Sequence, residues 1–164
     1  DYVSDVQDWF NTNHSFIPTV YEGFSRGANF ALYLRDNGAV SDVWVSHLSN
    51  VRPEYFDGEG NLAIAWDTAD KVVVAWDPSV TADDDAAATL LGDESNPDPG
   101  TLADVYGITG WQLDLDQGPL TRWSGTGGAN ASKVWRVHYT GGHSWQSKKN
   151  KQWSEELQAD GFMP

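Results

Sequence analysis

The chain contains no cysteine among its 164 residues. A disulfide scaffold, a thiolate zinc site and a cysteine nucleophile are excluded, while the redox compartment stays open. No run of 18 apolar residues occurs, so no membrane insertion is expected. Basic residues are scarce: 10 Lys and Arg stand against 24 Asp and Glu, a formal net charge of −14. A surface this acidic repels polyanions, so no DNA partner is expected. It suits a cationic partner or salt-rich surroundings, since at molar salt the Debye length is about 3 Å and self-repulsion costs little. Acidic runs such as Asp83-Asp84-Asp85 and Gly92-Asp93-Glu94 fit a halophilic or marine origin. The chain opens on Asp1 without a signal-like segment, which reads as a processed or trimmed chain.

What is present is aromatic. Hydrophobic residues make up 40 % and aromatics 13 %, with nine tryptophans, enough for one packed domain over 1–164. Charge divides the chain. Residues 1–117 carry −17, the stretch 118–154 has no Asp or Glu and carries +6, and the last ten residues carry −3. A basic block in an acidic chain is an internal partner for the acidic part or a face for an anionic ligand.

Three parts follow: a helix and strand part over 1–77, an acidic surface loop over 78–100, and a β-rich basic part over 101–164. Val3, Val6, Trp9 and Phe10 at spacings of three and four predict a short amphipathic helix over 2–13. Phe16 to Tyr21 predicts a strand, Ala28 to Leu34 a second short helix closed by Asn37-Gly38, and Val40 to Leu48 a strand. Leu62–Trp66 and Lys71–Trp76 flank Asp67-Thr68-Ala69-Asp70 and predict a hairpin. Pro78 to Gly100 is rich in Asp, Ala, Pro and Gly and predicts a long loop with one helical turn at Ala86–Leu91. Beyond it come aromatic strands at Val105–Leu115, Leu120–Ser124, Lys133–Tyr139 and His143–Gln146. Trp111, Trp123, Trp135, Trp145 and Trp153 recur every 8 to 12 residues, a spacing of short strands and tight turns. The expected class is α+β: short N-terminal helices, then a mostly antiparallel, aromatic-rich β domain with long loops.

Two constellations bear chemistry. Gly23-Phe24-Ser25-Arg26-Gly27 matches G-x-S-x-G, after a strand-like run and before a helix-like one. Small neighbours let a serine occupy a strained turn. The stretch GFSRGANFALYL resembles the nucleophile elbow of the α/β-hydrolase family. That resemblance implies a triad in which Ser25 attacks, His143 takes its proton, and Asp70 or Asp77 holds the imidazole.

The second constellation is RWSGTGGANASKVWRVHYTGGHSWQSKKNKQW, closing on DGFMP. It resembles the C-terminal third of C-type-lectin-like domains of bacterial and phage adhesins and of retroelement-diversified proteins. In that fold the polar stretch between the last strands displays ligand-contacting side chains. Read residue by residue, Lys133, Trp135, Val137 and Tyr139 share one strand face and Val134, Arg136 and His138 the other. Trp145 and Trp153 flank a run without apolar residues, Gln146 to Gln152. Indole faces cover apolar sugar faces, and Lys and Arg meet carboxylate or sulfate. The candidate ligand-binding residues are Arg136, His138, His143, Trp145, Gln146, Lys148, Lys149, Asn150, Lys151 and Trp153.

No cofactor is expected, with calcium as the open possibility. Its candidate ligands are Asp57 and Glu59 in the loop closing at Asn61, and Asp114 and Asp116 on one strand face. The reading that covers most features is a non-enzymatic recognition and adhesion module of a virion, tail fibre or cell surface. It would be extracellular or virion-borne in a salt-rich environment, binding a glycan, an anionic polymer or a neighbouring protein. The alternative is an esterase-like serine hydrolase using Ser25 and His143. A third reading is a structural virion or assembly protein, with a homo-oligomer possible.

Overall fold

Lys71–Trp76 reads KVVVAW, without polar alternation, and all six residues are buried. A strand buried on both faces belongs inside a sheet, between parallel neighbours. The computed structural model of the chain has that arrangement. It describes residues 20–38, 43–47, 51–117 and 120–143, with Asp5, Trp9, Thr12, Glu155 and Ala159 as isolated positions. The strands are β1 (Val20–Phe24), β2 (Val43–His47), β3 (Lys71–Trp76), β4 (Ile108–Gln117), β5 (Leu120–Gly127) and β6 (Val134–Tyr139). They form one six-stranded sheet in the order β1-β2-β3-β6-β5-β4. β1, β2, β3 and β6 are parallel, in the registers Val20↔Val43, Val43↔Lys71 and Val72↔Val134. β5 pairs antiparallel with β6 and with β4.

The class is mixed α and β. The expected mostly antiparallel sheet is corrected, since its first three pairings, β1 to β2 to β3 to β6, are parallel. The expected hairpin of Leu62–Trp66 with Lys71–Trp76 is corrected too. Both edges of β3 are taken by β2 and β6, and Leu62 makes only an isolated bridge to Phe56.

Three helices are described: α1 (Arg26–Asp36), α2 (Thr81–Leu91) and α3 (Leu102–Tyr106). The helical turn expected at Ala86–Leu91 is there, but it is the second half of α2, which begins at Thr81 and so shortens the expected acidic loop over 78–100. Asp83, Ala86, Ala87, Leu90 and Leu91 fall on one face and are buried. Asp83 and Asp84 in its first turn suit the positive end of the helix dipole, and Gly92 at φ 78° ends the helix. α3 occupies the start of the expected 105–115 strand, which begins at Ile108 instead. Asp5, Trp9 and Thr12 are helical, as the 2–13 pattern predicts, but Trp9 is 56 % exposed rather than on the apolar face.

One face of the sheet, through Val72, Val74, Trp76 and Val134, packs with Leu90 of α2, Leu102 and Tyr106 of α3, and Leu32 of α1. The other face buries Val73, Ala75, Leu120, Trp135, Val137 and Tyr139. The β6 alternation read from sequence holds from Val134 onward, with Trp135, Val137 and Tyr139 in one cluster and Val134 in the other, whereas Lys133, expected on the strand, ends a 3-10 turn before it. Three long-range contacts fix α1. Arg35 donates to Ala65 O at 2.8 Å and pairs with Asp70 at 2.6 Å. The Tyr55 hydroxyl donates to Asn29 O at 2.7 Å.

Candidate active site

Ser25 lies between the last residue of β1 and the first of α1, with φ 56° and ψ −115°. Among the described residues it is the only non-glycine with positive φ. Such a backbone costs on the order of 1–3 kcal/mol and persists where surrounding structure enforces it. The enforcing contact is a close backbone approach: a Cβ on Gly23 would sit 2.2 Å from Gly27 O and 2.6 Å from Ala28 N. Gly23 is thus sterically required, whereas a Cβ on Gly27 would meet nothing within 4 Å.

His143 reaches this serine from the bend after β6. Its Nε2 lies 2.9 Å from Ser25 Oγ, and its Nδ1 lies 2.7 Å from Asp83 Oδ2. A carboxylate only accepts, so Nδ1 bears the proton and Nε2 is left to accept from the serine hydroxyl. The Phe24 ring stacks on the imidazole with centroids 4.8 Å apart. The Asp83 side chain is 3 % exposed and that of His143 is 32 % exposed. A dry carboxylate thus orients an imidazole whose other nitrogen faces an accessible serine. Arg26, the first residue of α1, offers a backbone N–H without an intrahelical acceptor next to Ser25. All three side chains lie just beyond the carboxyl ends of β1, β3 and β6, where open α/β sheets bind ligands.

Neither sequence candidate for the acid meets His143 at a ring nitrogen. Asp70 is held by Arg35, in the last turn of α1 and at the opposite end of that helix from Ser25. Asp77 directly follows β3, and its carboxylate accepts from Ser79 N and Oγ at 2.9 and 2.7 Å and from Gly141 N and Gly142 N at 2.8 and 2.6 Å. Burial by itself would raise this carboxyl; the hydrogen bonds from Ser79, Gly142 and Gly141 outweigh it and hold it at about 2. The residue the sequence reading missed is Asp83. In the sequence it is one of three consecutive aspartates in an acidic run, yet it precedes Ala86 and Ala87 by three and four residues, which puts it on the apolar helix face.

The remaining candidates have other surroundings. The Arg136 guanidinium lies 5.0 Å from the Trp111 ring and 4.6 Å from that of Trp123. His138 packs edge-on to Trp76 and Trp123 at 4.4 and 4.7 Å. Burial, reinforced by the Arg136 charge, lowers its pKa. Trp145, Gln146, Lys148, Lys149, Asn150, Lys151 and Trp153 lie outside the described residues. Asp57 accepts from Glu59 N, Asn61 N and Asn61 Nδ2 at 2.8–3.1 Å, closing its own turn. Asp114 accepts from Ser124 Oγ and lies 3.8 Å from Arg122 Nε, at an irregularity in the β4–β5 ladder that breaks the strict alternation expected of Asp114 and Asp116. Among the described residues no three His, Asp or Glu side chains are grouped as a metal site. A cavity of about 400 Å³ borders the His143 loop, lined by Asp77, Thr121, His138, Tyr139, Gly141 and Gly142. Comparison with protein-family models, curated proteins and solved structures finds no match.

Proposed function

We propose that this chain is a serine hydrolase that cleaves carboxylic esters by acyl transfer through Ser25. The observation that supports it is the unbroken hydrogen-bonded series Ser25 Oγ, His143 Nε2, His143 Nδ1, Asp83 Oδ2, at 2.9 and 2.7 Å, with the serine on a positive-φ turn. Geometry of this kind, not fold or position in the chain, identifies such a triad.

In this reading Ser25 Oγ attacks the ester carbonyl carbon while its proton passes to His143 Nε2. The carbonyl oxygen gains the negative charge, and the Arg26 N–H at the head of α1 donates to it. Collapse of the tetrahedral adduct breaks the bond to the alcohol oxygen, which takes the proton from His143. An acyl-Ser25 ester remains. Water then repeats the sequence with His143 as base, releasing the carboxylic acid and restoring the serine. Asp83 accepts from Nδ1 and stabilises the imidazolium.

The test is intact-mass analysis after exposure to a fluorophosphonate probe in molar salt. One adduct, mapped to Ser25 and absent in Ser25→Ala and His143→Ala, is the expected result. Asp83→Asn should retain the fold and lose on the order of 10⁴-fold in kcat, because the imidazole tautomer is no longer fixed. Absence of an adduct on protein shown to be folded would remove the hydrolase reading. Binding of glycans and polyanions by a recognition module, with the C-type-lectin-like arrangement over 122–164, would then become the next question.

A further inference from the structure

We propose that Asp77 is a positioning residue for the candidate triad, holding the segment that carries His143 against the end of β3; this rests on the hydrolase reading. Only Thr140, Gly141 and Gly142 separate the end of β6 from His143. Nothing in so short a bend fixes an imidazole by itself. Gly141 and Gly142 adopt φ 132° and 70°, conformations that turn consecutive N–H groups toward one acceptor. That acceptor is Asp77 Oδ2, at 2.8 and 2.6 Å. The other oxygen, Oδ1, is fixed by the N–H and hydroxyl of Ser79 at 2.9 and 2.7 Å. Four donors fill the accepting capacity of one carboxylate, so Asp77 has none left for the His143 ring.

The two aspartates therefore divide the work. Asp83 orients the ring, and Asp77 places the backbone from which the ring hangs. Hydrogen bonds to an ionised acceptor are about twice as strong as neutral ones, which suits a clamp on a bend of three residues. Asn at position 77 keeps the shape but replaces one acceptor by a donor, which opposes either the two glycine N–H groups or Ser79.

The experiment uses the full chain with Asp77→Asn and Ser79→Ala, and Ile64→Val as a control that weakens the core away from the site. Turnover of a short-chain aryl ester is measured alongside the thermal midpoint and the downfield proton resonance of His143 Nδ1. Asp77→Asn should lower kcat by about 10²-fold with KM little changed, the size of effect a misplaced catalytic group produces. It should also broaden or abolish the Nδ1 resonance. Ser79→Ala should lower kcat by about 3- to 10-fold, corresponding to one weakened hydrogen bond. Ile64→Val should lower the midpoint and leave kcat alone. Wild-type kcat and an unchanged resonance in folded Asp77→Asn would overturn the proposal. Should Asp77→Asn not fold, unchanged kcat and resonance in Ser79→Ala would do the same. The resonance reports the His143–Asp83 bond even if the wild-type protein hydrolyses no ester. Failure of the hydrolase reading is thereby distinguished from failure of the clamp.

Discussion

Asp77 ties chemistry to pH at the scale of one residue. An aspartate in an unfolded chain titrates near 3.9, as the general reference value has it. In the fold the hydrogen bonds from Ser79, Gly141 and Gly142 overcome burial and hold Asp77 at about 2. The folded value lies below the unfolded one, so the contribution is present in full above about pH 4 and is lost as pH falls toward about 2. Its size is on the order of 2 kcal/mol. Denaturant unfolding of wild type and Asp77→Asn between pH 7 and pH 2 checks this. The acid limb between about pH 4 and 2 should be shallower in the variant, and an identical limb would count against the assignment. Ser25 and His143 were both legible in the sequence, one from a glycine-flanked turn and the other as the histidine that the resemblance to the elbow family implies. Asp83 was not, because three consecutive aspartates look alike until a helix puts one on the buried face.

At the scale of elements, the elbow between β1 and α1 distinguishes two glycines that the motif treats alike. A methyl group at Gly23 would collide with backbone at Gly27 and Ala28, which no rotamer change relieves. Gly23→Ala should therefore cost about 1–3 kcal/mol of stability and displace Ser25, as overpacking does. Gly27 is exposed, lies within α1 and has open space about it. Gly27→Ala should raise stability by up to about 1 kcal/mol through helix propensity. Thermal unfolding of the two variants decides, and similar behaviour of both would contradict the close approach. The helix of the elbow was legible because its apolar run is clean and ends at Asn37-Gly38. Only the second half of α2 was legible, as a turn at Ala86–Leu91; its start was hidden by composition, since the aspartates that suggest a loop also make an N-terminal helical turn. The 62–76 hairpin was misread because a turn signal says nothing about which partner a strand prefers, and β3 is apolar on both faces.

At the scale of the whole molecule the net charge of −14 acts on every state that is compact. We propose that raising salt from about 0.1 M to 1 M, which shortens the Debye length from about 10 Å to 3 Å, stabilises the fold by relieving that repulsion. Denaturant midpoints that rise with sodium chloride are the expected result, and midpoints that fall would show the surface ion pairs to matter more. By itself the sequence determined the mixture of helices and strands, the elbow about Ser25, the alternation along β6 and the acidic surface, because each follows from local spacing or from a sum over residues. Only the tertiary structure decided the parallel order β1-β2-β3-β6 and, with it, the meeting of Ser25, Asp83 and His143. Those three lie as far as 118 residues apart in the chain. What joins them is strand pairing, and pairing depends on which edges the rest of the sheet leaves open, a property that no single segment holds.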